Sequence, residues 1–257
     1  MSQRLKGVAI LIPVLMGFFL GDYICSLTSM IVGMFIYHEL HEALIKKDIE
    51  ISYSFGIIMA LALHTFLLFS RTYDIKNILI LVSMASIFSL FVQDEVRIKN
   101  IIASISCTIY AFIPFWLISI LNLSWANTYL KLLIFAIAFS TDTFAFLIGK
   151  HFGKHPLSKI SPKKTIEGSI GGIVCTCIFC GVGGGLVFDA PVLTMILTAI
   201  IGSILAQLGD LFASSVKRYC GIKDFSDTIP GHGGFLDRFD SVIFVIPLIF
   251  SLAIVFL

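Results

Sequence analysis

Charge is scarce in this sequence. Only 13% of its 257 residues are Asp, Glu, Lys or Arg, about half the share of an ordinary soluble domain. Hydrophobic residues make up 58% and the mean hydropathy is +0.99. A chain of this length cannot hide so much apolar surface in one aqueous core. That excludes a soluble globular protein and implies an integral membrane protein. A cysteine framework is also missing. The six cysteines lie in or beside apolar stretches, and Cys175, Cys177 and Cys180 share one hydrophobic run. Metal sites normally offer C-x-x-C pairs on turns, so these read as small packing residues, and no oxidising compartment is implied. No small-x-small cleavage site follows the apolar run 8–20. Arg4, Lys6 and that run therefore read as an uncleaved first span. There is no linker, no low-complexity tract and no clear internal repeat.

What is there is a series of apolar segments. A span takes about twenty apolar residues, fewer with support from neighbours. Nine candidates lie at 7–20, 24–37, 53–70, 77–92, 101–121, 129–149, 169–188, 192–207 and 241–257. The first two are short enough to be one hairpin. The expected class is an all-α integral membrane protein of about nine transmembrane helices. The positive-inside rule orients it. With the N-terminus cytoplasmic, all of the 18 Lys and Arg residues except Arg71, Lys76 and Lys131 fall inside. The C-terminus is then outside, and the two long polar loops, 150–168 and 208–240, are cytoplasmic. Residues 1–125 read as a scaffold of spans. Residues 126–257 carry nearly all the dense polar clusters and read as the catalytic part.

Three clusters are candidates for chemistry. The first is Ser140-Thr141-Asp142-Thr143 inside an apolar span. An acid there costs about 2.5–3.5 kcal/mol to insert. It needs either a helix–helix hydrogen bond or a polar cavity, and both remain open. The second runs from Gly149 to Lys154 and continues as Ser161-Pro162-Lys163-Lys164-Thr165-Ile166-Glu167-Gly168. Ser161 reads as an N-cap with Pro162 in the first turn. Free N–H groups at such a helix start, with Lys163 and Lys164, suit a phosphate or triphosphate. Contact with anionic lipid headgroups is the alternative. The third cluster is the densest. It runs from Gln207-Leu208-Gly209-Asp210 through Ser214, Lys217, Arg218, Lys223 and Asp224 to the stretch 230–240. If the helix continues past Gln207, Asp210, Ser214 and Lys217 share a face. Asp237 and Asp240 share another. Carboxylates at two helix ends suit Mg²⁺. Lys217, Arg218, Lys223 and Arg238 would neutralise phosphate charge. The turn from Gly231 to Gly234 would bring backbone N–H groups to a phosphate. His38-Glu39-Leu40-His41-Glu42 misses the H-E-x-x-H zinc spacing and reads as the exposed end of the second span.

The third cluster resembles the signature of the phosphatidate cytidylyltransferases, or CDP-diacylglycerol synthases. That signature has the form S-x-hydrophobic-K-R, four residues, K-D, then H-G-G-hydrophobic-x-D-R-hydrophobic-D. Ser214, Lys217, Arg218, Lys223, Asp224, His232, Gly233, Gly234, Asp237, Arg238 and Asp240 fill its fixed positions. Ser161, Lys163, Lys164, Thr165 and Glu167 match the family's upstream block, and Gly209-Asp210 its G-D pair. The likeness covers about residues 130 to 250.

The resemblance implies transfer of CMP from CTP to phosphatidic acid, giving CDP-diacylglycerol and pyrophosphate for phospholipid biosynthesis. It implies Mg²⁺, often with a second cation beside it, a homodimer, and a bacterial inner membrane with the site facing the cytoplasm. No nucleic-acid partner is expected. Asp210, Asp237 and Asp240 are the expected metal ligands, and with Lys217 the expected catalytic residues. The other motif residues and Asp142 are expected substrate contacts, with His232 serving either proton handling or the turn itself. Two other readings stand beside it. One is a related CTP-using enzyme, a polyprenol or phytol kinase or a synthase acting on an ether-linked lipid. The other is a transporter with Asp142 and Asp210 as intramembrane ion sites, which would need polar counterparts in the first half.

Overall fold

The computed structural model describes residues 3–69, 98–121, 127–184 and 191–256. Among these residues the regular elements are helical, with two isolated bridges, Pro156 to Thr165 and Ile229 to Gly233. The helices are α1 Gln3–Gly17, α2 Asp22–Ile45, α3 Tyr53–Phe69, α4 Ile98–Leu121, α5 Asn127–Phe152, α6 Ile166–Thr176, α7 Val192–Cys220 and α8 Leu236–Phe256. A π-helical stretch, Cys177–Val182, continues α6. The expected span at 77–92 lies outside the described residues.

Among the described residues, four helices are long and apolar enough to cross a membrane: Asp22–Ile45, Ile98–Leu121, Thr128–Phe152 and Val192–Cys220. The 24 residues of α2 rise about 36 Å, against a hydrocarbon core of about 30 Å. The 15 residues of α1 rise only about 22 Å. Several helices outrun the apolar segments that announce them. Hydropathy ends the second span at residue 37, but α2 runs to Ile45. It ends the eighth at Gln207, but α7 continues to Cys220. Polar residues do not stop a helix, because its backbone bonds are internal and Gln, Lys and Arg are good helix formers.

The chain divides into two compact units, one of residues 1–123 and 220–238, the other of residues 124–219 and 239–257. The segment after α7, residues 220–238, falls in the unit of the N-terminal helices. In the first unit α2 packs against α1, α3 and α4. It does so through a buried stripe of Val32, Ile36, Leu40 and Ala43, the period of an amphipathic helix. Polar ties reinforce this packing. The Tyr37 hydroxyl donates to the Ser52 carbonyl at 2.8 Å, and the Ser52 N–H donates to the Ser104 hydroxyl at 2.9 Å.

In the second unit α5 packs against α6 and its π-helical continuation. A chain of hydroxyls joins three helices: Ser140 to Thr176 at 3.1 Å, Thr141 to Thr176 at 3.2 Å, and Thr141 to Ser203 at 3.0 Å. Small side chains let helix backbones approach, and hydroxyls then bond across the gap. The loop between α5 and α6 corrects one expectation. Ser161 does not cap a helix. It begins a turn closed by the Lys164 N–H to the Ser161 carbonyl at 3.0 Å. Pro162 fits the second position of such a turn. The cap is Thr165, extended at φ −119° and ψ 154°, whose side chain accepts from the Gly168 N–H.

Candidate active site

In the second unit, charged side chains converge from four segments. The unbroken α7 places Asp210, Ser214 and Lys217 along one face. Ser214 and Lys217 are buried on it, while Arg218 points outward. Lys164, from the turn before α6, forms an ion pair with Asp210. Asp142 and Asp240 also act on Lys164 electrostatically, as does Lys217. Asp240 is buried near the start of α8, and its Oδ1 accepts the Ser241 N–H at 2.7 Å. The Ser241 hydroxyl reaches Asp142 Oδ2 at 3.0 Å and Asp240 Oδ1 at 3.3 Å. Asp142 therefore has its helix–helix partner and is also a member of the polar group. One turn before Asp210, Gln207 accepts the Ser169 hydroxyl and donates to the Ser169 carbonyl at 3.3 Å. That pair ties α6 to α7 beside the cluster.

The upstream block divides by role. Lys164 enters the cluster, and Lys163 is exposed. Thr165 and Glu167 hold the loop's shape. Glu167 accepts the N–H groups of Lys154 at 3.0 Å and His155 at 3.2 Å, and meets the His155 ring at 2.6 Å. The His155 side chain, with the Lys154 N–H, holds the Glu167 carboxyl down at about 2.

The first unit holds the glycine turn. Gly231 and Gly233 have φ of +74° and +80°, where a Cβ is strained. The Ile229 N–H donates to the Gly233 carbonyl, and the His232 N–H to the Ile229 carbonyl, both at 2.9 Å. Asp237 Oδ2 accepts the Phe225 N–H at 2.9 Å and the Gly234 N–H at 3.0 Å. Lys223, Asp224 and Arg238 are exposed, and His232 is half-buried. Within the expected N–H cradle, His232 and Gly234 are thus engaged internally, and so are the Phe235 and Leu236 N–H groups that follow it.

The acceptor for the last two corrects the reading of the second span's end. His38 and Glu42 are not buried, but Glu39 is 1% exposed. Its carboxylate accepts the Phe235 and Leu236 N–H groups at 2.8 Å each and the Ser226 hydroxyl at 2.6 Å. One signal in the sequence pointed there. Glu39 continues the helical stripe of Val32 and Ile36, and a carboxylate on an apolar stripe needs a buried partner.

Among the described residues no group of three or more His, Cys, Asp or Glu is set to hold a metal ion. A hard divalent cation is commonly held by one or two carboxylates, with water and substrate oxygens completing its shell. Asp142 and Asp240, drawn to one hydroxyl, fit that smaller requirement.

The profile of the cytidylyltransferase family matches residues 2–256. The chain is 49% identical over 117 residues to a phosphatidate cytidylyltransferase of Staphylococcus haemolyticus, and 48% identical over 117 residues to one of Staphylococcus aureus strain COL. Each alignment covers 45% of this chain and 45% of the relative, so the chain aligns with less than half the length of these curated relatives. The family match runs almost end to end and includes the charged cluster of the second unit and the glycine turn of the first. The chain belongs to the cytidylyltransferase family.

Proposed function

We propose that the protein transfers CMP from CTP to phosphatidic acid, giving CDP-diacylglycerol and pyrophosphate. The observation that carries this reading is the convergence of Asp142, Lys164, Asp210, Lys217 and Asp240, of which Lys217 and Asp240 are buried, in an apolar chain. The relatives' name, phosphatidate cytidylyltransferase, agrees with it. In the reaction a phosphate oxygen of the lipid attacks the α-phosphorus of CTP. The bond from that phosphorus to the bridging oxygen of the β-phosphate breaks, and pyrophosphate leaves. Two polyanions must meet in line, so the catalyst's work is placement and charge neutralisation.

Lys217 and Lys164 supply positive charge to phosphate oxygens, with the Asp210 pair keeping Lys164 in place until substrate arrives. Arg218, Lys223 and Arg238, exposed and basic, are read as further phosphate contacts. Asp142 and Asp240 would hold Mg²⁺, with Asp210 and Asp237 as the further carboxylates of the signature. A bound cation would neutralise developing charge on the phosphate oxygens. A site at the cytoplasmic ends of the helices lets the acyl tails stay in the bilayer while CTP arrives from water. Nine spans, a cytoplasmic N-terminus, an external C-terminus, a bacterial inner membrane and a homodimer complete the proposal.

The test is purified full-length protein in mixed micelles with radiolabelled CTP, with and without Mg²⁺, against a panel of lipid acceptors. Label in CDP-diacylglycerol, only with phosphatidic acid and Mg²⁺, is the expected result. Phosphorylated polyprenol or phytol, or no transfer to any lipid, would overturn the reading.

A further inference from the structure

We propose that Glu39 is a positioning residue: from the N-terminal half of the chain, it fixes the glycine turn and the first turn of α8. The presentation of Asp237 and Arg238 then depends on it. The inference rests on the proposed CMP transfer for its effect on turnover.

Glu39 is 1% exposed on a helix apolar enough to cross a membrane. A carboxylate in that setting is costly without donors. Its donors are the Ser226 hydroxyl at 2.6 Å and the N–H groups of Phe235 and Leu236, each at 2.8 Å. The first N–H groups of a helix have no partner within it, and a negative charge there also meets the positive end of the helix dipole. Glu39 occupies the place that an external anion would take, so its contribution is to geometry.

Three neighbours make the fit specific. Phe35, one turn earlier on α2, stacks on Phe235 with ring centroids 4.6 Å apart and planes at 13°. Gly234 leaves no room for a side chain, since a Cβ there would lie 2.5 Å from Glu39 Oε1. From α1, the backbone at Arg4 abuts Gly231, and Gly7 abuts His232 and Pro230. Asp237 follows Leu236 directly, and its Oδ2 turns back to the Gly234 and Phe225 N–H groups. Loosening Leu236 therefore redirects Asp237.

The experiment uses full-length protein and compares Glu39→Gln, Ser226→Ala and, as a control, Glu42→Gln on the exposed side of α2. The amide introduced by Glu39→Gln would keep one acceptor oxygen but turn an NH₂ group toward the Leu236 N–H. Misplacing catalytic groups by about 1 Å costs on the order of 100-fold. We expect kcat of Glu39→Gln to fall at least about 30-fold, with KM for CTP nearly unchanged. Amide hydrogen exchange in residues 225–238 should rise at least about 10-fold, while α5 and α6 exchange as in the wild type. Ser226→Ala should shift exchange in the same segment by less, and Glu42→Gln should match the wild type.

Wild-type kcat and exchange in Glu39→Gln would overturn the proposal. So would a fall in kcat with unchanged exchange, or loss of protection throughout the chain. If Glu39→Gln does not fold, Ser226→Ala decides through exchange at 225–238. A wild-type protein that transfers CMP to no lipid would defeat the functional reading instead, and the exchange comparison would still decide whether Glu39 holds the turn.

Discussion

Asp237→Asn separates two duties of one side chain. Asparagine keeps an acceptor oxygen, so the Phe225 and Gly234 N–H groups stay bonded. We expect the variant to fold and to lose the proposed CMP transfer by about 100-fold or more. Near-normal turnover would remove Asp237 from the chemistry. Lys164→Met tests the ion pair with Asp210. Removing one partner of a buried pair costs about 3–5 kcal/mol. The side chains here remain 30% and 21% exposed, so the expected loss is about 2 kcal/mol, read from thermal unfolding in detergent. Adding Asp210→Asn should recover most of it. Glu167 makes a pH prediction. Its carboxyl is held below the ordinary value, down to about 2. In the window between, the unfolded chain binds more protons, so stability rises with pH. The contribution is complete above the ordinary range, about 4.3, and is lost as pH falls toward 2. The loop 153–165 should become steadily easier to cleave by an acid-stable protease over that range, and Glu167→Gln should remove the pH dependence.

At the scale of elements, α7 and α8 explain why glycine precedes Asp210. A Cβ on Gly209 would collide with the backbone carbonyl of Asp240, so the two helices touch backbone to backbone where their carboxylates lie. Gly209→Ala should destabilise the protein by about 1–3 kcal/mol and lower turnover with it, as measured by unfolding and by the labelled-CTP assay. Apolar runs located the described helices but placed their ends badly. Hydropathy registers contact with lipid, whereas a helix ends where its backbone bonds end. The α5–α6 loop shows the same limit. Ser161-Pro162 satisfies a local rule for a helix start, yet Thr165 takes the cap because the bonds from Leu157 to Lys164 and from Ile166 to His155 hold residues 155–166 as a paired loop.

For the whole molecule, the distribution of basic residues predicts that single cysteines at Lys159 and Lys223, in a protein without its six native cysteines, are each labelled by an impermeant maleimide from the cytoplasmic side alone. Labelling of either from outside would overturn the proposed topology. Membrane class, helical architecture and the signature from Ser214 to Asp240 were determined by the sequence itself, because composition and close spacing are properties of the linear chain. The tertiary structure decided who partners whom. It set Asp142 beside Asp240 through Ser241, 99 residues from Asp142. It gave the Phe235 and Leu236 N–H groups, just past the glycine turn, to Glu39, 196 and 197 residues away, where the sequence alone suggested only an exposed end of the second span. The physical reason is that a buried carboxylate must find donors, and which donors reach it depends on how helices pack, which no local spacing encodes.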